Sequence, residues 1–131
     1  DIIFAYNPKQ VVIYCGENDL AASDTVSAAT VAQRFITLFN MIRDRYPKIP
    51  VLYVSMKPSP SREHLMHKMD AGNWAIEEFL KKQKRTMYVD AYHLMLDANG
   101  EPRKELFIND MLHMNKNGYA IWQKAIGPYL K

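Results

Sequence analysis

Two short stretches carry residue types whose spacing suits acyl-transfer chemistry. The first is Gly16-Glu17-Asn18-Asp19, directly after an apolar run. Gly16 permits a tight turn and close approach of backbone to a ligand. Asn18 carries a neutral amide that can donate a hydrogen bond to a developing oxyanion over a wide pH range. Asp19 can brace the turn by accepting backbone N–H bonds. The second stretch is Asn109-Asp110-Met111-Leu112-His113-Met114-Asn115, before the last helical pattern. With Asp110 and His113 three apart, the carboxylate can reach the ring Nδ1–H and fix the tautomer, leaving Nε2 free as a general base. Each stretch also has a purely structural reading. Asn-Asp is ordinary turn chemistry, and an Asp three residues before a His can simply close a turn.

The remaining candidates are weaker. Ser55 ends an apolar run and is the one internal serine expected to face a ligand at a strand end. Arg62, after Pro58-Ser59-Pro60-Ser61, is either a surface loop cation or a group reaching toward an anion. His64 and His67 are three apart but lack an evident third ligand, so a solvated helix face is the expectation and no metal is assigned. His93 follows the third apolar run and is a further candidate. Met111 and Leu112 either line an acyl pocket or anchor their loop. Cys15, the only cysteine, excludes an internal disulfide and a multi-cysteine zinc site, and nothing near it suggests an activated thiol.

The elements that must position these residues follow from periodicity. Val11, Val12, Ile13 and Tyr14 form a β-branched and aromatic run, and Ile49 to Ser55 forms a second. Continuous runs of this kind read as strands buried on both faces. Val31, Phe35, Leu38, Phe39, Ile42 and Tyr46 step by 4, 3, 1, 3 and 4, one face of a helix. Ser23 or Asp24 is expected to cap it and Pro47 to stop it. Met56 to Arg62, with two prolines, reads as a loop. Leu65, Met69, Gly72, Ile76, Phe79 and Leu80 mark a second helix, whose end at Lys81 to Arg85 suits the helix dipole. Met87 to Val89 is a third strand. Tyr119, Trp122, Ile126 and Leu130 mark a final helix to the chain end. Asp1 to Tyr6 reads as either a helix end or a loop, and Asn7-Pro8 as a turn.

Alternating strands and helices predict an α/β fold with a parallel sheet, helices on both faces and right-handed crossovers. Ligands in such sheets sit beyond the carboxyl ends of the strands, where both stretches fall. Composition fits one globular domain: 131 residues, 48% hydrophobic and 24% charged. A net charge of +3, with the densest basic patch broken by Gln83, gives no argument for nucleic acid. No apolar stretch approaches the roughly 20 residues of a membrane span.

Taken together, a strand-end Gly-x-Asn-Asp, two βα units and an Asp-x-x-His before a terminal amphipathic helix resemble the SGNH (GDSL-type) hydrolase family. Gly118-Tyr119 also resembles that family's entry into its last helix. The resemblance spans Val11 to Leu130. It implies a three-layer αβα, flavodoxin-like fold and a serine esterase or lipase acting on short-acyl esters, such as acetylated carbohydrates or small lipids, with no cofactor. It implies catalytic roles for Asn18 in the oxyanion hole, for His113 as base and for Asp110 as its orienting acid, with Gly16 and Asn18 at the substrate. The chain departs from the family in one respect. The family's nucleophile lies in a Gly-Asp-Ser block, and a further Gly block follows it. Both precede Gly-x-Asn-Asp. This chain has no Gly-Asp-Ser, no Gly-x-Ser-x-Gly elbow, and fifteen residues ahead of Gly16. The expectation is that residues 1–131 are the C-terminal portion of one domain. Its N-terminal portion would supply the first strands and the serine and would be this segment's partner. Two rival classes share the frame: a non-catalytic α/β binding module, and a nucleotide or receiver domain. The last predicts a phosphate loop or an acidic cluster at the first strand end, and neither is present.

Overall fold

Side-chain alternation along three short strands sets the architecture of the computed structural model, which describes residues 9–130. Strand β1 (Val11–Ile13), β2 (Val51–Val54) and β3 (Thr86–Val89) form a parallel sheet in the order β1-β2-β3. Val11 pairs with Val51, and Val51 with Thr86. Successive side chains point to opposite faces. Val11, Ile13, Val51 and Tyr53 therefore meet one helical layer. Val12, Leu52 and Val54 meet the other.

The first layer is α2 (Ala28–Arg45) and α3 (Met66–Lys81). Their contribution to the core is Ala32, Phe35, Phe39 and Ile42 from α2, and Ile76 and Leu80 from α3. The second layer is α4 (Lys116–Ile126), which lays Trp122, Ala125 and Ile126 against Leu52, Val54 and Val89. These are the three layers expected from the alternation of strands and helices. A short helix, α1 (Glu17–Ala22), follows β1.

Several local expectations are corrected. Gly16-Glu17-Asn18-Asp19 is not an open turn: Glu17 begins α1, with Leu20 N–H bonded to the Gly16 carbonyl at 3.2 Å. Helix α2 is capped by Ser27, whose hydroxyl accepts from Thr30 N–H at 3.1 Å, rather than by Ser23 or Asp24. The hydroxyl of Ser27 has helical N–H groups within reach, because it stands directly before the first helical residue. The segment read as a loop from Met56 to Arg62 turns into a 3-10 helix at Pro60–Leu65. Helix α4 stops at Ile126, and Gly127–Tyr129 continue as a 3-10 turn. Tyr119 points outward at 53% exposure, because Gly118 takes the inward position. Only β2 is buried on both faces throughout; β1 is partly covered on one face, and β3 is half exposed as an edge strand. Asp1 to Tyr6 and Asn7-Pro8 lie outside the described residues.

Candidate functional site

The carboxyl ends of β1 and β2 deliver two segments to one side of the sheet. After β1 the chain turns sharply at Gly16, with φ 109°. A Cβ there would stand 2.7 Å from Val31 Cγ1 and 3.0 Å from Met56 Sδ, so both conformation and space require glycine. The turn starts α1 with Glu17 buried and Asn18 exposed.

After β2, Asn73 of α3 pins the chain by accepting from Met56 N–H (2.9 Å) and donating to the Met56 carbonyl (3.3 Å). Ser55 is fully buried, and its hydroxyl accepts from the backbone N–H groups of Ala91 and Tyr92, both at 2.9 Å. Its expected ligand-facing position is therefore overturned: Ser55 ties β2 to the segment after β3.

Between these segments lies an ionic cluster that local spacing did not reveal. The Glu17 carboxylate is contacted by Lys57 Nζ at 3.1 and 3.2 Å, by Arg62 Nη1 at 3.0 Å and by the Tyr14 hydroxyl. Side-chain exposures are 6% for Glu17, 11% for Lys57 and 20% for Arg62. Burial, and then the neighbouring Glu17 carboxylate, push the Tyr14 hydroxyl well above its ordinary pKa. Arg62 also donates from Nη1 to Asn18 Oδ1 at 3.1 Å. It is thus committed to groups of the chain itself rather than being a free surface cation. Asp19 forms an ion pair with Arg34 at 3.3 Å instead of bracing the turn. Burial, and then the Asp19 carboxylate, raise the Cys15 thiol to about 11, so this cysteine is not an activated nucleophile.

The second stretch sits at the tip of a loop ahead of α4. An isolated antiparallel bridge between Phe107 and Met114 closes the loop, and Ile108 N–H donates to the His113 carbonyl at 2.9 Å. Asn115 fixes its base. The Asn115 carbonyl oxygen Oδ1 accepts from Asn117 and Gly118 N–H, capping α4. Its amide donates to the carbonyls of Glu105 and Phe107.

Inside the loop, Asp110 Oδ1 accepts from the backbone N–H groups of Leu112 and His113, both at 2.9 Å. Asp110 Oδ2 stands 2.5 Å from His113 Nδ1. The bond to the His113 ring, helped by the two N–H groups, holds the Asp110 carboxyl down at about 2. The carboxylate is therefore charged at every pH where an imidazole titrates, and the ring keeps Nδ1 as its protonated side. His113 is 69% exposed. Met111 adopts φ 55°, a left-handed conformation that costs a side-chain-bearing residue energy. Its carbonyl accepts from Ser61 N–H at 3.0 Å.

That last bond joins the two stretches. Asn18 contacts Arg62, Arg62 follows Ser61, and Ser61 bonds to Met111 between Asp110 and His113. A continuous set of contacts thus brings Asn18, Asp110 and His113 to one region, with Gly16 setting the turn that presents Asn18.

A second Asp-x-x-His has the same local geometry. Asp90 Oδ1 accepts from His93 N–H at 3.0 Å, and Asp90 Oδ2 lies 2.7 Å from His93 Nδ1. His93 Nε2 lies 3.9 Å from Asp70 of α3. The spacing was visible in the sequence, but the pairing of Asp90 with His93 was not drawn from it. His64 and His67 are both exposed, and among the described residues no group of three His, Cys, Asp or Glu side chains is placed to hold a metal ion. No helix among them is long and apolar enough to cross a membrane.

Comparison with known proteins decides the family. The model of the GDSL-like lipase/acylhydrolase family matches residues 3–121. The chain belongs to this family. The fold of the family recurs in solved structures. A Streptococcus pneumonia protein named for platelet activating factor superposes with a TM-score of 0.82 at 20% identity, over 98% of this chain and 63% of that one. A GDSL-like lipase from Bacteroides thetaiotaomicron matches with 0.76 at 23% identity, over 92% and 61%. A carbohydrate esterase of family 3 from Talaromyces cellulolyticus matches with 0.75 at 20% identity, over 92% and 56%. At such identities the likeness speaks for the fold. The chain spans less than two thirds of the length of each of these structures. No curated protein sequence matches the chain.

Proposed function

We propose that residues 1–131 are the C-terminal portion of an SGNH-type serine ester hydrolase domain. Its substrates are short-acyl esters, such as acetylated carbohydrates or small lipid esters. The observation that carries this reading is the Asp110 Oδ2 to His113 Nδ1 contact of 2.5 Å, on a loop tied through Ser61 and Arg62 to Asn18. Two further points support it. The outer edge of β1 has no partner strand among the described residues, leaving room for added strands. The solved structures of the same fold are also longer than this chain.

In this reading a serine from the N-terminal portion attacks the acyl carbonyl. His113 Nε2 takes the hydroxyl proton as the Oγ–C bond forms, and the carbonyl π electrons move onto oxygen. Asn18 Nδ2 donates to that oxyanion. The tetrahedral intermediate then collapses, the C–O bond to the alcohol breaks, and His113 returns its proton to the leaving alkoxide. Water, deprotonated by the same ring, hydrolyses the acyl-enzyme and restores the serine. Asp110 keeps Nδ1–H oriented and stabilises the transient imidazolium without itself taking a proton.

The test uses the protein with its natural N-terminal portion and p-nitrophenyl acetate. His113→Ala is expected to cut kcat by about 10²–10⁴, the usual worth of a general base. His93→Ala is the matched control, since the same local geometry is removed, and its rate stays within about twofold. A fluorophosphonate probe should label one serine. An unchanged rate in His113→Ala refutes the assignment, and absence of both turnover and adduct favours the non-catalytic binding module.

A further inference from the structure

An asparagine serves an oxyanion only if its amide is the right way round. The two ends of the group are nearly identical in shape but opposite in function, since Nδ2 donates and Oδ1 accepts. Turned over, the amide would set a carbonyl oxygen against the developing negative charge. Something must therefore fix the orientation of Asn18, which is exposed on the first turn of a six-residue helix.

Arg62 has the required chemistry. A guanidinium has five N–H donors and no acceptor, so the atom of Asn18 lying 3.1 Å from Arg62 Nη1 must be Oδ1. Nδ2 is then turned away from Arg62. The guanidinium is itself fixed. Its Nη1 bonds to Glu17 Oε1 at 3.0 Å, and Glu17 is held in turn by Lys57 and Tyr14. The backbone of Arg62 donates to the Ser59 carbonyl at 3.1 Å, and the preceding Ser61 N–H bonds to Met111 in the His113 loop. One segment thus orients the amide and ties it to the imidazole.

We infer that Arg62 is a positioning residue that sets the amide of Asn18 so that Nδ2 faces the oxyanion, with the Glu17–Lys57 pair as its anchor. The inference rests on the ester-hydrolase reading above. Arg62 acts through Asn18 and not on the substrate.

The experiment is a double-mutant cycle in the protein carrying its N-terminal portion. Asn18→Ala is expected to lower kcat by about 10²–10³, the loss typical of one oxyanion donor. Arg62→Gln offers the neighbour both a donor and an acceptor, so it no longer dictates the amide; kcat should fall about tenfold, a fraction of the full donor loss, with KM little changed. Arg62→Lys, which also only donates, should lose less than Arg62→Gln. In the Asn18→Ala background either change at position 62 should have no further effect. A loss of the same factor in both backgrounds overturns the inference, because it would mean that Arg62 acts on the fold or the substrate directly. So does full activity in Arg62→Gln. If Arg62→Gln does not fold, the same cycle with Arg62→Lys applies, and any loss that survives in Asn18→Ala is contrary. Full activity in both Asn18→Ala and His113→Ala removes the ester-hydrolase reading itself.

Discussion

Replacing Glu17 by glutamine removes the negative charge from a cluster that holds two cations. The side chain keeps its size and shape, so packing is preserved and electrostatics dominate. In the native protein Lys57 Nζ lies 3.1 and 3.2 Å from the carboxylate and Arg62 Nη1 lies 3.0 Å away. At an effective dielectric of about 20, one unit pair at that separation is worth about 5 kcal/mol before desolvation is counted. Breaking a buried pair by deleting one partner costs about 3–5 kcal/mol, since the other charge is stranded. Lys57 and Arg62 retain 11% and 20% side-chain exposure, so their heads can shift partly toward water. The cost should lie near 3 kcal/mol. With a urea slope of about 2 kcal/mol/M, the unfolding midpoint falls by about 1.5 M. Adding Lys57→Met to Glu17→Gln removes the stranded ammonium and should restore about half of the loss, because the two sites share one interaction. Chemical denaturation followed by fluorescence measures all three variants. A Glu17→Gln midpoint within about 0.25 M urea of the native protein, or about 0.5 kcal/mol at that slope, would refute the reasoning.

Two other perturbations probe the loop that carries His113. Gly118→Ala gains about 1 kcal/mol of helix propensity, yet its Cβ would stand 2.6 Å from the Leu106 carbonyl oxygen and 2.8 Å from Met114 Cβ. Overpacking of this kind costs about 1–3 kcal/mol, and here one neighbour is backbone. A net fall in Tm of a few degrees is expected by circular dichroism, and a rise would show that the helix shifts freely. Asp110 should titrate near 2 by carbon-detected NMR, against 3.8 for an unperturbed carboxyl. Because its folded-state value is depressed, the stability it contributes is fully present above about pH 4 and is lost as pH falls through about 2. Removing the ring in His113→Ala should move the midpoint upward, since the bond to His113 is the largest cause of the depression. An unmoved midpoint would contradict the dyad.

Strand β2 of the sheet is legible because burial on both faces leaves an apolar run without polar interruptions at Val51–Val54. The helices were legible because each lays one stripe on that sheet, as Phe35, Phe39 and Ile42 do. What was misplaced was local and short. Ser27 caps α2 instead of Ser23 or Asp24, and α1 replaced a turn, because neighbouring Ser, Asp and Asn residues offer equivalent oxygens and only the path of the chain selects among them. Tyr119 marks the last helix by its spacing but faces outward, because the close approach of Leu106 and Met114 to α4 admits only Gly118 at the inward position.

By itself the sequence determined the α/β frame, the strand-end location of Gly16 and Asn18, and the Asp110–His113 spacing. These features depend on residues a few positions apart, where chemistry follows from backbone geometry. Tertiary structure alone decided which of two Asp-x-x-His turns is tied to Asn18, that Ser55 is a buried tether, and that Arg62 is bound by Glu17 and Asn18. Those contacts join residues 36 or more positions apart. They exist because β1, β2 and β3 lie side by side in a fixed register, and no local pattern encodes which loops that register brings together.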